Sequence, residues 1–197
     1  GKTLSSMAFA LNHAVRHGLR RVIVVIPFTS IIEQNAAVYR KALGERNVIE
    51  HHSGFDIEVR RKQDGDEFLQ KHEQACENWD APVIVTTNVQ FLETLFSSRA
   101  TPCRKLHNIA RSVVIMDEVQ TLPPDMLHAI TDGLNELTSH YGCTIVLSTA
   151  TPPALRRDQT KRPGLDHVRE IIHEPGALAA QLQRVEYHWP DPDAPPV

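Results

Sequence analysis

Asp117-Glu118 closes the apolar run Val113-Val114-Ile115-Met116, and Gly1-Lys2-Thr3 opens directly onto a helical pattern. Paired carboxylates at the end of a buried strand and a Gly-Lys-Thr entering a helix are the two halves of a nucleoside-triphosphate site. Backbone N–H groups at a helix N-terminus attract an anion, so Gly1, Lys2 and Thr3 would grip phosphates. In a full GxxxxGK[ST] loop the lysine reaches the β/γ-phosphates and the hydroxyl binds Mg2+. Asp117 would support the same ion, and Glu118, one residue on, would orient and polarise the attacking water. The competing reading of Asp117-Glu118 is an exposed acidic turn, which the four apolar residues before it disfavour. Gly-Lys-Thr alone is a weak signal; the helix after it and the acids downstream give it weight. Because the first glycine of the loop is absent, the chain reads as a fragment.

Short apolar runs alternate with helical patterns along the chain. Leu4, Met7, Ala8, Leu11 and Val15 recur at helical spacing and define an expected buried stripe. Residues 21–27 are apolar on both faces, as a central parallel strand requires, with Pro27 ending the pairing. Ile31, Ile32, Asn35, Tyr39 and Leu43 mark the next helix, with Ser30 as expected N-cap. Val48-Ile49 is a short strand, 56–78 an exposed helical stretch, and 82–87 a strand followed by a helix with Phe91, Leu92, Leu95 and Phe96. After the strand ending in Asp117 come a helix with Met126, Leu127, Ile130, Leu134 and Leu137, opened by Pro123-Pro124, and a last central strand, 143–147. Residues 185–189 could add a strand before a proline-rich end. This alternation predicts an α/β fold with a mostly parallel sheet and right-handed crossovers, and ligands collect beyond the carboxyl ends of such strands.

A chain of 197 residues suffices for one sizeable α/β domain, and no apolar run approaches a membrane span. Cys76, Cys103 and Cys143 have no metal-like spacing and read as reduced thiols of a cytoplasmic protein. A formal charge of −3 gives no global basic footprint. Local clusters at Arg20-Arg21, Arg60-Arg61-Lys62 and Arg156-Arg157 read as solvated faces or as a local nucleic-acid surface. His51-His52 reads as a loop pair rather than a metal site.

Asp117-Glu118-Val119-Gln120 resembles the DExH/DExQ box of superfamily 2 helicases, and Ser148-Thr149-Ala150-Thr151 their SAT-type motif. Residues 25–35 and 85–95 resemble motifs Ia and Ib of the CRISPR-associated helicase–nuclease of type I interference. The resemblance covers roughly residues 1–155. It implies a three-layer RecA-like P-loop domain over 1–177, with 178–197 as a linker toward a second RecA-like domain. It also implies ATP and Mg2+ as cofactors, with Gln120, Ser148, Thr149 and Thr151 coupling the nucleotide site to domain motion. Thr29, Ser30, Thr86 and Thr87 would contact the backbone of single-stranded DNA. Gln120 stands where many relatives carry histidine, which touches only the details of coupling.

The implied partners are single-stranded DNA and a CRISPR effector (surveillance) complex, with no membrane. The family's HD nuclease is expected outside these residues, since no His-Asp dipeptide occurs; Asp166-His167 is in reverse order. The isolated chain is expected to turn ATP over slowly, because the second domain would supply an arginine finger. Two further readings stand beside this DNA motor: a DEAH-like RNA helicase, and a nucleotide-binding scaffold without chemistry. A scaffold has no use for a water-orienting Glu118.

Overall fold

The computed structural model describes residues 2–52, 74–149, 155, 164–172, 174–181, 183 and 185. Contacts divide the chain into Gly1–Asp166 and His167–Val197. The described part of the second unit contains the helix Pro175–Gln181. The expected strand at 185–189 falls almost wholly outside the described residues, as does most of the 56–78 stretch.

In the first unit α1 spans Lys2–His17, β1 Arg21–Ile26, α2 Thr29–Leu43 and β2 Val48–His51. There follow β3 Val83–Thr87, α3 Asn88–Phe96, β4 Ser112–Asp117, α4 Leu127–Ser139 and β5 Thr144–Ser148. The five strands are ordered β2-β3-β1-β4-β5, and every pair is parallel. The expected α/β fold with its parallel sheet is therefore observed.

Successive strand residues face opposite sides, so each buried strand feeds two cores. Val22, Val24, Ile26, Val113 and Ile115 pack with Met7, Ala10 and Ala14 of α1 and Ile32, Ala36 and Tyr39 of α2. Ile23, Val25, Ile84, Val114 and Met116 pack on the other side with Phe91 of α3 and Ile130, Leu134 and Leu137 of α4. The result is three layers, with the sheet in the middle.

The stripe expected on α1 is rotated. Its buried residues are Met7, Ala10 and Ala14, while Leu4 and Val15 are exposed. Small alanines let the helix axis approach β1 and β4 closely, and that contact outweighs the larger side chains in choosing the face. Helix α2 also starts earlier than expected. Thr29 is its first residue and Phe28 its N-cap, with no side-chain cap bond, so Ser30 lies inside the first turn. Arg40 of α2 is buried and pairs with Glu50 of β2 at 3.2 Å, which holds this helix to the sheet edge.

Candidate nucleoside-triphosphate site

Strand register assembles the site. Asp117, last in β4, lies directly beside Ser148, last in β5. The N-terminus of α1 sits over the same edge, and its first residue reaches both acids: Lys2 Nζ is 2.7 Å from Asp117 Oδ1 and 2.8 Å from Glu118 Oε1. Lys2, Thr3, Ser6, Tyr39, Asp117 and Ser148 line one cleft.

Two consecutive strand residues normally point to opposite faces. Here both carboxylates meet one ammonium because the backbone leaves the strand at Glu118, whose φ of 49° and ψ of 51° are left-handed. The turn is held by Thr121, whose backbone N–H and hydroxyl both donate to the Glu118 carbonyl, at 2.9 and 2.8 Å.

The Glu118 carboxylate is engaged on both oxygens. Lys2 donates to Oε1, and Gln120 Nε2 donates to Oε2 at 2.6 Å. Thr149 then donates to Gln120 Oε1, so a chain of side-chain bonds runs Lys2–Glu118–Gln120–Thr149. The Lys2 and Gln120 hydrogen bonds hold Glu118 below its usual carboxylate range. Desolvation opposes the Lys2 ammonium, but the bonds and charges of Asp117 and Glu118 outweigh it and raise its pKa. Burial, with the Asp117 charge, pushes Tyr39 up to about 12, so this phenol is neutral.

Thr3 joins the cleft. Gly1 and Thr151 lie outside the described residues. Thr29 and Ser30 are exposed on the first turn of α2. Thr86 is fully buried and donates its hydroxyl to the His51 carbonyl at 2.8 Å; Thr87 caps α3 by accepting from the Gln90 N–H at 3.1 Å. The Thr86 hydroxyl proton is thus committed to backbone, whereas Thr87 engages its hydroxyl as an acceptor. Arg21 turns inward, donating to the Trp79 carbonyl at 2.6 Å, so it is no part of a basic surface. Arg60-Arg61-Lys62 and Arg156-Arg157 lie outside the described residues.

Residues 1–158 match the DEAD/DEAH box helicase model. The chain belongs to the DEAD/DEAH box helicases. It is 28% identical over 163 residues to the CRISPR-associated nuclease/helicase Cas3 of Haloferax volcanii, an alignment covering 77% of this chain and 17% of that protein. The crystal structure of the UvsW helicase from bacteriophage T4 aligns with a TM-score of 0.46 and 16% identity, over 76% of this chain and 43% of that one. By the family model these residues are a helicase motor domain, and they span only a small part of the length of the Cas3 relative. No helix among the described residues is long and apolar enough to cross a membrane.

A DEAD/DEAH helicase uses ATP with Mg2+, and the donor set fits that ion. A cation, the Lys2 ammonium, already sits between the two acids, and Asp117 and Thr3 offer the hard oxygens Mg2+ prefers. Among the described residues no group of three or more His, Cys, Asp or Glu could hold a metal alone.

Sequence reading missed Asn35 and Tyr39 as part of the cleft and Thr121 as the clamp on Glu118. Asn35 and Tyr39 stand four apart on one helix face, the only signal available; Thr121 gave none.

Proposed function

We propose that this chain is the first of two RecA-like halves of an ATP-driven motor that moves on single-stranded DNA in CRISPR antiviral interference. The supporting observation is the meeting of Lys2 with Asp117 and Glu118, across 116 residues for the glutamate. A lysine in that position can pass from carboxylate to phosphate oxygens without leaving the cleft. Its transfer frees one oxygen of Glu118 to orient the attacking water, with Gln120 still holding the other. Bound Mg2+, supported by Asp117 and Thr3, would neutralise charge on the phosphates. Gln120, Ser148, Thr149 and Thr151 would carry the change toward a second RecA-like domain.

Thr29 and Ser30, exposed at the start of α2, would accept the DNA backbone, since phosphate contacts track a strand without reading its sequence. Thr87, the cap of α3, would bring the same backbone to the start of that helix, with buried Thr86 shaping the junction from below. The CRISPR setting, with an effector complex as recruiter and an HD nuclease elsewhere in the system, rests on the Haloferax volcanii relative and would place the protein in the cytoplasm.

The test is ATP hydrolysis by the full-length protein with DNA and RNA strands of the same sequence. DNA-dependent stimulation that disappears in Lys2→Ala is expected. Stimulation by RNA alone would select an RNA helicase, and no hydrolysis under any condition would leave a scaffold.

A further inference from the structure

Thr121 is exposed on the turn after the catalytic glutamate and touches both ends of the proposed motor's coupling problem. Its hydroxyl proton goes to the Glu118 carbonyl at 2.8 Å. Toward its other neighbour, Asn88, the same oxygen must therefore accept, and Asn88 Nδ2 approaches it at 3.5 Å. This long contact places Asn88 Nδ2, rather than Oδ1, on the Thr121 side. Asn88 is only 8% exposed, and its buried Oδ1 has no hydrogen-bond partner among the described residues. A buried acceptor of this kind is where a donor would be taken up most readily.

Asn88 is also the first residue of α3, directly after the Thr87 cap. Displacing the start of α3 therefore moves the amide that rests on Thr121. Thr121 in turn holds the left-handed backbone that turns Glu118 toward Lys2.

We propose that Asn88 and Thr121 are positioning residues, which transmit occupancy at the start of α3 by a nucleic-acid strand to the orientation of Glu118. The inference rests on the motor reading above and adds a path for strand-stimulated hydrolysis. It differs from the Gln120–Thr149 link, which leads away from Glu118 on the side of β5.

The experiment is a double-mutant cycle in the full-length protein, using Asn88→Ala, Thr121→Val, the pair together, and Thr121→Ser. The readout is the ratio of kcat with saturating single-stranded DNA to kcat without it, beside the KM for ATP and the Kd for DNA. Each single change lowers the ratio by about fivefold or more, while KM and Kd stay within about twofold. The double variant is no worse than the poorer single, because the two act in one path. Thr121→Ser, which keeps the hydroxyl, restores the ratio. If Asn88→Ala does not fold, Asn88→Asp keeps the shape, removes the donor, and carries the same expectation. A wild-type ratio in the single variants, fully additive losses, or losses that follow melting temperature rather than kcat would overturn the proposal while leaving the motor intact. A wild-type protein that no strand stimulates defeats the motor reading, and this inference with it.

Discussion

The carboxyl edge of the sheet has two ends built on different terms. At β4–β5, polar side chains satisfy one another: Lys2 with Glu118, Glu118 with Gln120, Gln120 with Thr149. At β3, hydroxyls engage backbone instead: Thr86 donates to the His51 carbonyl and Thr87 accepts from the Gln90 N–H. Exposure follows the same division. The side chains of Lys2 and Glu118 are 50% and 33% accessible, whereas Thr86 is fully buried. Side-chain pairs in contact with water are exchangeable, because a ligand can replace either partner. Hydroxyls committed to buried backbone are framework. One end is made to change partners, and the other ties the start of α3 to the strand edge.

The sharpest way to break the comparison is Glu118→Gln in the full-length protein. Turnover should fall by about 10²–10⁴-fold while ATP binding survives, if the charge proposed to orient water is lost with the amide. Near-normal kcat would remove Glu118 from the chemistry. Thr149→Ala removes the last member of the chain at that end, and strand-stimulated kcat should drop about tenfold with less change in ATP KM, a coupling of ordinary size. An unchanged stimulated rate would mean the link to β5 carries nothing.

At the other end the effect should appear in stability. Thr86→Val keeps the shape but leaves the His51 carbonyl without this donor, at a cost of about 1–3 kcal/mol in urea denaturation. A neutral result would mean that the junction is not framework. The smallest effect is in pH. Glu118 has a depressed pKa, so its pairing is fully formed above the ordinary glutamate value of about 4.3 and is lost only as pH falls through the lower, folded value. Carboxyl NMR should show Glu118 titrating below that ordinary value in the native protein, and moving back toward it in Lys2→Ala. Titration at or above it in the native protein would contradict the Lys2 pairing.

The strands were legible because a strand buried on both faces must be apolar throughout, as residues 22–26 and 113–116 are. Helix α4 was legible for the same reason, its buried Ile130, Leu134 and Leu137 falling at helical spacing. The face of α1 was not, since periodicity weights Leu4 and Val15 by size, whereas packing against the sheet favoured Ala10 and Ala14. Residues that could form the site were legible by type: a lysine, two acids, several hydroxyls. Whether a hydroxyl is free is decided by register and burial, so Thr29 and Thr86 look alike in sequence and differ entirely in place. Asn88 and Thr121 were silent because their contact spans 33 residues and depends on where two strands end.

Strand β1 is bonded to β3 along one side and to β4 along the other. It therefore serves as a ruler between the hydroxyl junction and the acids, fixing them about 10 Å apart, two strand spacings. With Val22 to Ile26 sealed in both cores, that ruler has little freedom to stretch or slide. Movement in this domain must then travel through the loops above the sheet, and the sheet itself serves as the stationary bed.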